Sequence, residues 1–139
     1  MADKIFVDSN VWVYLFTSDE KEKNNRARQF IRDNGAGNVL VISYQVINEV
    51  SSVLKRKNFT EVQIRFVIET MSEMCVIRNF SLETVMSASL LRDKLSVSFW
   101  DSLIVASAGA MQCHLLVSED MQDNRLINGM KIINIFNPR

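Results

Sequence analysis

Four acidic residues sit where their types and surroundings could do chemistry. Asp8 closes the apolar run Ile5-Phe6-Val7, and Asp101 precedes the apolar run Leu103 to Ala106. Asp120 lies two residues past Ser118, and Glu49 lies beside Val46, Ile47 and Val50. In chain order they are 41, 52 and 19 residues apart. Carboxylates bordering apolar runs are costly unless something compensates them. Hard divalent cations do so, because Mg²⁺ takes oxygen ligands, usually a few carboxylates plus waters. A carboxylate set without His or Cys points to Mg²⁺ or Mn²⁺ rather than Zn²⁺. Two such ions about 4 Å apart can activate a water and stabilise a leaving oxygen in phosphodiester cleavage. Each residue also has an ordinary use. Asp8 could cap a helix, Asp101 could face a positive helix end, Glu49 could be a solvated charge and Asp120 a turn residue. With sixteen acidic residues in the chain, the set argues for a site and no single member does.

The elements that must position these residues alternate between short apolar runs and longer helical patterns. Lys4 to Asp8, Val39 to Ser43, Cys75 to Arg78, His114 to Ser118 and Lys131 to Phe136 read as strands. Helices are expected over Ser9 to Phe16, Lys21 to Asn34, Tyr44 to Lys57, Thr60 to Met74, Ser81 to Leu95 and about Phe99 to Gln112. Thr60 and Gln63 make a capping pair, and Ser98 caps the last helix, whose apolar residues run nearly all round and predict burial. Apolar strands separated by helices mean β-α-β crossovers. The expected fold is therefore α/β: a three-layer sandwich with a central parallel sheet of about five strands. Such sheets bind ligands beyond the carboxyl ends of their strands, near a topological switch point. Asp8 and Asp120 follow strands in this reading.

Composition sets outer bounds. The 139 residues are one domain's worth, a single unit over 1–139. Sixteen Lys and Arg balance sixteen Asp and Glu, so long-range attraction of a polycation to nucleic acid is excluded. Any nucleic-acid contact must come from a local basic face. Cys75 and Cys113 form no paired motif and read as small buried hydrophobes in a reduced compartment. Met-Ala-Asp-Lys has no apolar stretch behind a basic start, and the run Leu103 to Met111 is too short for a bilayer, so a cytoplasmic protein without membrane contact is expected.

Phe6-Val7-Asp8-Ser9-Asn10-Val11 resembles the opening motif of PIN-domain ribonucleases. Asn48-Glu49-Val50 is similar to that family's helical glutamate, Trp100-Asp101-Ser102-Leu103-Ile104-Val105-Ala106 to its third acidic motif, and Leu115-Leu116-Val117-Ser118-Glu119-Asp120 to its final strand and acidic turn. No one motif is specific, but the ordered set covers essentially the whole chain. The resemblance, closest to single-domain toxins of toxin–antitoxin pairs (VapC-like), implies an endoribonuclease dependent on Mg²⁺ or Mn²⁺, with one or two ions. It implies that Asp8, Glu49, Asp101 and Asp120 hold the metal and carry catalysis. Asn10 and Ser118 match positions that support the acids by hydrogen bonds. Hydrolysis would proceed by a metal-activated water attacking phosphorus in line. The resemblance also implies homodimers and an antitoxin inserting into the site groove. Many relatives carry a further acid two positions after the last aspartate. Gln122 stands there, and Asp123, one residue later, is the remaining candidate.

Lys55-Arg56-Lys57 with Arg65, and Arg26, Arg28 and Arg32, are basic clusters. Lys55, Arg56 and Lys57 are candidates to grip the RNA backbone, although such runs are more often solvated helix faces. Trp12, Tyr14, Leu15 and Phe16 crowd one short segment that reads mostly as core, and an apolar remainder left exposed there would mark a partner surface. His114 beside Cys113 reads as a partly buried histidine, since no further His or Cys completes a site. Two alternatives stand beside the nuclease. One is a PIN-like module that binds RNA or protein without cleaving, which loss of an acid would favour. The other is an aspartyl phosphotransferase, which usually needs a second acid where Asn10 stands and finds no Gly-rich phosphate loop here.

Overall fold

The computed structural model describes residues 2–137. Its elements follow the order β1 (Lys4–Val7), α1 (Ser9–Phe16), α2 (Lys21–Asn34), β2 (Val39–Ser43), α3 (Tyr44–Arg56), α4 (Glu61–Met74), β3 (Cys75–Arg78), α5 (Leu82–Lys94), α6 (Phe99–Ala110), β4 (Leu115–Val117), β5 (Leu126–Ile127) and β6 (Met130–Ile133). The sheet order is β3-β2-β1-β4-β6-β5. Strands β1 to β4 and β6 pair in parallel, with Ile5 opposite Leu40 on one side and Leu115 on the other. Strand β1 is central, and Ile5, Phe6 and Val7 are buried without alternation. Both of its faces are covered, as a parallel sheet requires.

The topology explains the layers. From β1 the chain steps outward to β2 and β3, then returns past them to place β4 on the far side of β1. Right-handed crossovers put α1–α4 on one face and α5 with α6 on the other. The main core joins both sides of the sheet, and a smaller cluster of Ala88, Leu103 and Ala106, with Phe80 and Leu91, fills the space between α5 and α6. The reversal of direction lies between β1 and β4. Asp8 and Ser118 are the first residues beyond those two strands.

The α/β class with its mostly parallel sheet is as expected, and several details differ. Among the described residues the sheet has six strands, against about five expected, and β5 is antiparallel to β6. Asn128 and Gly129 join them with φ of 50° and 84°. That two-residue turn matches the twist of the flanking strands, and Asn-Gly is its preferred pair. Replacing Gly129 by Ala forces a Cβ into a left-handed conformation that costs roughly 1–2 kcal/mol. A lower urea midpoint with unchanged slope is the expected result, and an unchanged midpoint would show the hairpin to be unstrained. Strand β6 stops at Ile133 because Asn134 turns the chain: its Oδ1 accepts from the Phe136 amide at 2.9 Å. Helix α6 is buried only from Ser102 to Ala108, while Phe99 and Trp100 are 53% and 61% exposed. The aromatic segment of α1 is core, as expected, and leaves no large apolar remainder exposed. Trp12 is fully buried, and Tyr14, Leu15 and Phe16 pack on the core. Exposed apolar side chains lie instead along α5, at Leu82, Val85, Met86 and Leu90. The capping pair at Thr60 and Gln63 forms as expected, with bonds of 3.2 and 2.8 Å.

Candidate active site

Asp8 leaves β1 in extended conformation and caps α1. Its amide donates to Val117 O at 2.9 Å, which carries the β1–β4 ladder up to the site. One carboxylate oxygen accepts from the Ser9 amide at 2.7 Å and the other from the Ser118 hydroxyl at 2.8 Å. The group is only 4% exposed. Burial pushes its pKa up to about 6; Ser118 and Ser9 hold it down in part, while Asp101 and Asp120 push it further up. The Trp12 indole donates to Val7 O at 3.1 Å and closes the wall behind it. Removing the Ser118 hydroxyl strips a bond that favours the ionised carboxylate. Ser118→Ala is therefore expected to lower activity about 10–100-fold, the usual cost of losing a support of this kind. Full activity would make Ser118 a packing residue.

The turn after β4 brings in Asp120. Asn10 Nδ2 donates to Asp120 Oδ2 at 3.2 Å, and Asn10 Oδ1 accepts from the Glu119 amide at 3.2 Å. Ser118 Oγ also accepts from the Asp120 amide at 3.3 Å. Both supporting residues expected from sequence therefore touch the acids. Glu119, between them, went unsuspected. Its carboxylate is held by the Tyr14 hydroxyl at 2.7 Å and by Lys23, which also bonds Tyr14. Glu119 and then Tyr14 push the Lys23 pKa upward. Residues 96 positions apart meet here, a proximity that no local pattern announces.

Glu49 and Asp101 complete the group from opposite faces of the sheet. Glu49 is half-buried on α3, and its pKa rises to about 7, chiefly by burial and then through Asp8 and Asp101. Gln45 and Ser9 pull it back, yet Oε1 is buried and finds no hydrogen-bond partner among the described residues. Asp101 stands in the first turn of α6, its amide donating to the Ser98 hydroxyl at 3.2 Å. Gln45 Nε2 donates to Trp100 O at 3.4 Å and links α3 to the start of α6. Gln45 Oε1 and Ser43 Oγ are likewise buried without partners. Polar residues inside the apolar stretch Val39 to Ile47 were the available signal for both.

Among the described residues no Lys, Arg or His lies within ion-pair distance of Asp8, Glu49, Asp101 or Asp120. Three further acids, Glu49, Asp101 and Asp120, act on or with Asp8, and no counter-charge among the described residues is paired with them. The donors are all oxygen, which suits Mg²⁺ or Mn²⁺. Glu49 Oε1 is a buried acceptor that a cation could satisfy. As placed, no three such groups among the described residues are gathered closely enough to hold one ion. The chemistry of the donors fits a divalent cation, and the side chains would have to draw together around it.

The other candidates separate. Both oxygens of Asp123 accept hydrogen bonds, from Asn134 N at 2.8 Å and from Asn137 Nδ2 at 3.2 Å, so this carboxylate ties the C-terminal turn. Lys55 pairs with Glu61 at 2.9 Å, and Arg56 donates to Ser52 at 2.8 Å. Lys57, paired with Asp19, lines a cavity of about 290 Å³ together with Ser9, Asn10 and Asp120. Of the three basic residues it alone lines that cavity. A second cavity of about 360 Å³ opens between Asp101 and Asp120. His114 is exposed, not partly buried, with Nδ1 3.4 Å from the Lys4 amide. Burial raises the thiol pKa values of Cys75 and Cys113 to about 12 and about 11, so neither is a nucleophile. No described helix is long and apolar enough to cross a membrane.

A family model described as PIN domain matches residues 5–125. The fold is similar to that of a toxin–antitoxin complex from Klebsiella pneumoniae, with a TM-score of 0.75, 19% identity, and 96% of this chain and 99% of that one covered. DNA-bound VapBC from Salmonella typhimurium gives 0.71 at 16% identity, covering 97% and 99%. VapC20 of Mycobacterium tuberculosis, a toxin that cleaves the sarcin–ricin loop, gives 0.66 at 17% identity, covering 81% and 86%. No curated protein matches the sequence significantly.

Proposed function

The chain belongs to the PIN-domain family, and from that premise we propose that it is a divalent-metal-dependent endoribonuclease, the toxin of a toxin–antitoxin pair. One observation carries the reading: a buried carboxylate at the switch point of a parallel sheet, grouped with three more and paired with no cation among the described residues. Asp8, Glu49, Asp101 and Asp120 would hold Mg²⁺ or Mn²⁺, as one or two ions, and Asp123 is left to its structural role. When bound, the metal would supply Lewis-acid chemistry, lowering the pKa of a water and neutralising charge on the phosphate. The chain's own residues supply orientation. Ser9 and Ser118 fix both oxygens of Asp8, and Asn10 fixes Asp120. Cavities on two sides of Asp120 leave an RNA strand room to pass the acids.

The partners follow from the same reading. Two of the similar structures are toxin–antitoxin complexes by description, which supports an antitoxin for this chain. The exposed apolar face of α5 supports a homodimer, because an apolar surface of that kind is usually covered. A cytoplasmic location belongs to the same reading, because the RNA it would act on is found there. The test is cleavage of RNA by the purified chain with Mn²⁺, Mg²⁺ or EDTA. Cleavage with metal and none with EDTA supports the nuclease. Metal binding without cleavage of any RNA supplied would favour the non-catalytic binding module.

A further inference from the structure

Arg125 precedes β5, and its backbone is fixed by the ladder to β6: its carbonyl accepts from the Ile132 amide at 2.8 Å. From that anchor the half-buried side chain reaches the segment between α5 and α6, where one guanidinium nitrogen donates to Ser96 O at 3.4 Å. A guanidinium has five donors. Among the described residues no carboxylate lies within 4 Å of it, although Asp101 and Asp120 line the same cavity. A cation and two anions thus share walls of one space without pairing across it.

The space has a definite character. Its volume is about 360 Å³, at the small end of the ~300–1,000 Å³ typical of ligand pockets. Ser98 and Gln122 add polar groups, and Val105 and Ile127 give an apolar wall. That combination suits one nucleotide: a small apolar wall for base or sugar, and a guanidinium for phosphate. Arg is well matched to phosphate because its planar fork can donate two parallel hydrogen bonds.

We infer that this cavity is a substrate subsite for the single-stranded nucleotide next to the scissile phosphodiester, with Arg125 holding that nucleotide's phosphate. The inference rests on the nuclease reading above and adds which side of the acids the strand occupies. Arg125 binds here as a group separate from the metal-holding acids, so it should affect RNA and not the ion.

The test compares wild type, Arg125→Gln and Arg125→Lys. Binding of a short labelled single-stranded RNA is followed by fluorescence anisotropy in Ca²⁺ over a salt series, with Mn²⁺ affinity measured separately by calorimetry. Arg125→Gln is expected to weaken RNA binding about tenfold and to lower the salt slope by about one. Arg125→Lys is expected to restore the slope but only part of the affinity. Mn²⁺ affinity and the far-ultraviolet dichroism should not change. RNA affinity unchanged in Arg125→Gln would overturn the subsite while leaving the nuclease reading intact. A matching loss of Mn²⁺ affinity would overturn it too, by showing that Arg125 acts through the acids or the fold. If wild type binds no RNA, the functional reading itself fails.

Discussion

Asp8→Asn is expected to abolish metal-dependent RNA cleavage, a loss of roughly 10²–10³-fold or more, and at the same time to stabilise the metal-free protein. Both effects have one cause. The carboxylate sits in a nearly closed site, where burial holds its pKa at about 6 instead of 3.8. At neutral pH the folded chain therefore carries a charge that it would rather not carry, a penalty of about 3 kcal/mol at about 1.4 kcal/mol per unit. Asparagine removes the charge and keeps its shape. Its Oδ1 can still accept from Ser9, and its amide can donate to the Ser118 hydroxyl. A gain of about 1–3 kcal/mol should survive, or a rise of several degrees in Tm. Activity and stability then move in opposite directions, as at sites that exchange stability for function. Gel assays with Mn²⁺ and EDTA, together with thermal melts in EDTA, read both. Cleavage that persists in Asp8→Asn would place the activity elsewhere or in a contaminant. A variant less stable than wild type in EDTA would mean that Asp8 is a structural residue and its burial no burden.

How far the sequence could be read depended on how local each determinant was. The parallel strands were legible because Ile5 to Val7 and Val39 to Ile42 are unbroken apolar runs. The candidate acids were legible because each stands beside such a run, and Asn10 and Ser118 lie within two residues of an acid. The β5–β6 hairpin was missed although Asn128-Gly129 announces it, because Leu126–Ile127 is too short to show a period. The Lys23–Tyr14–Glu119 link was out of reach, since it exists only once α1 and α2 pack beside the β4 turn. Charge runs are hard to read in sequence for a similar reason. Lys55 and Lys57 look like a free basic patch in sequence, but Glu61 and Asp19 fold back onto them. Arg125 stands in no sequence motif, and its setting is visible only in the fold, where Ser96, Asp101 and Asp120 come round the same cavity.

The metal-free chain is expected to lose stability as pH rises from about 4 to about 7, and a saturating divalent cation should remove that loss. The direction follows from the two raised carboxyls. Asp8 moves from 3.8 to about 6 and Glu49 from 4.5 to about 7. Between the unfolded and folded values, the folded chain holds protons that the unfolded chain has released. Their contribution is fully present below the unfolded pKa and is gone once pH exceeds the folded one. Asp8 is buried and should give most of the effect; Glu49 is half-buried, and solvent discounts its share. A divalent cation binds the ionised carboxylates, so its stabilisation should grow over the same window. Thermal melts at about pH 5 and about pH 8 would then show a falling Tm in EDTA and a metal-induced rise that is larger at the higher pH. Asp101→Asn removes one proposed ligand and should shrink that rise. An equal rise in wild type and Asp101→Asn would take Asp101 out of the ligand set. A Tm that climbs with pH in EDTA would mean that paired carboxylates elsewhere outweigh the acids at the switch point, and that the cost of burying Asp8 is met within the protein without any ion.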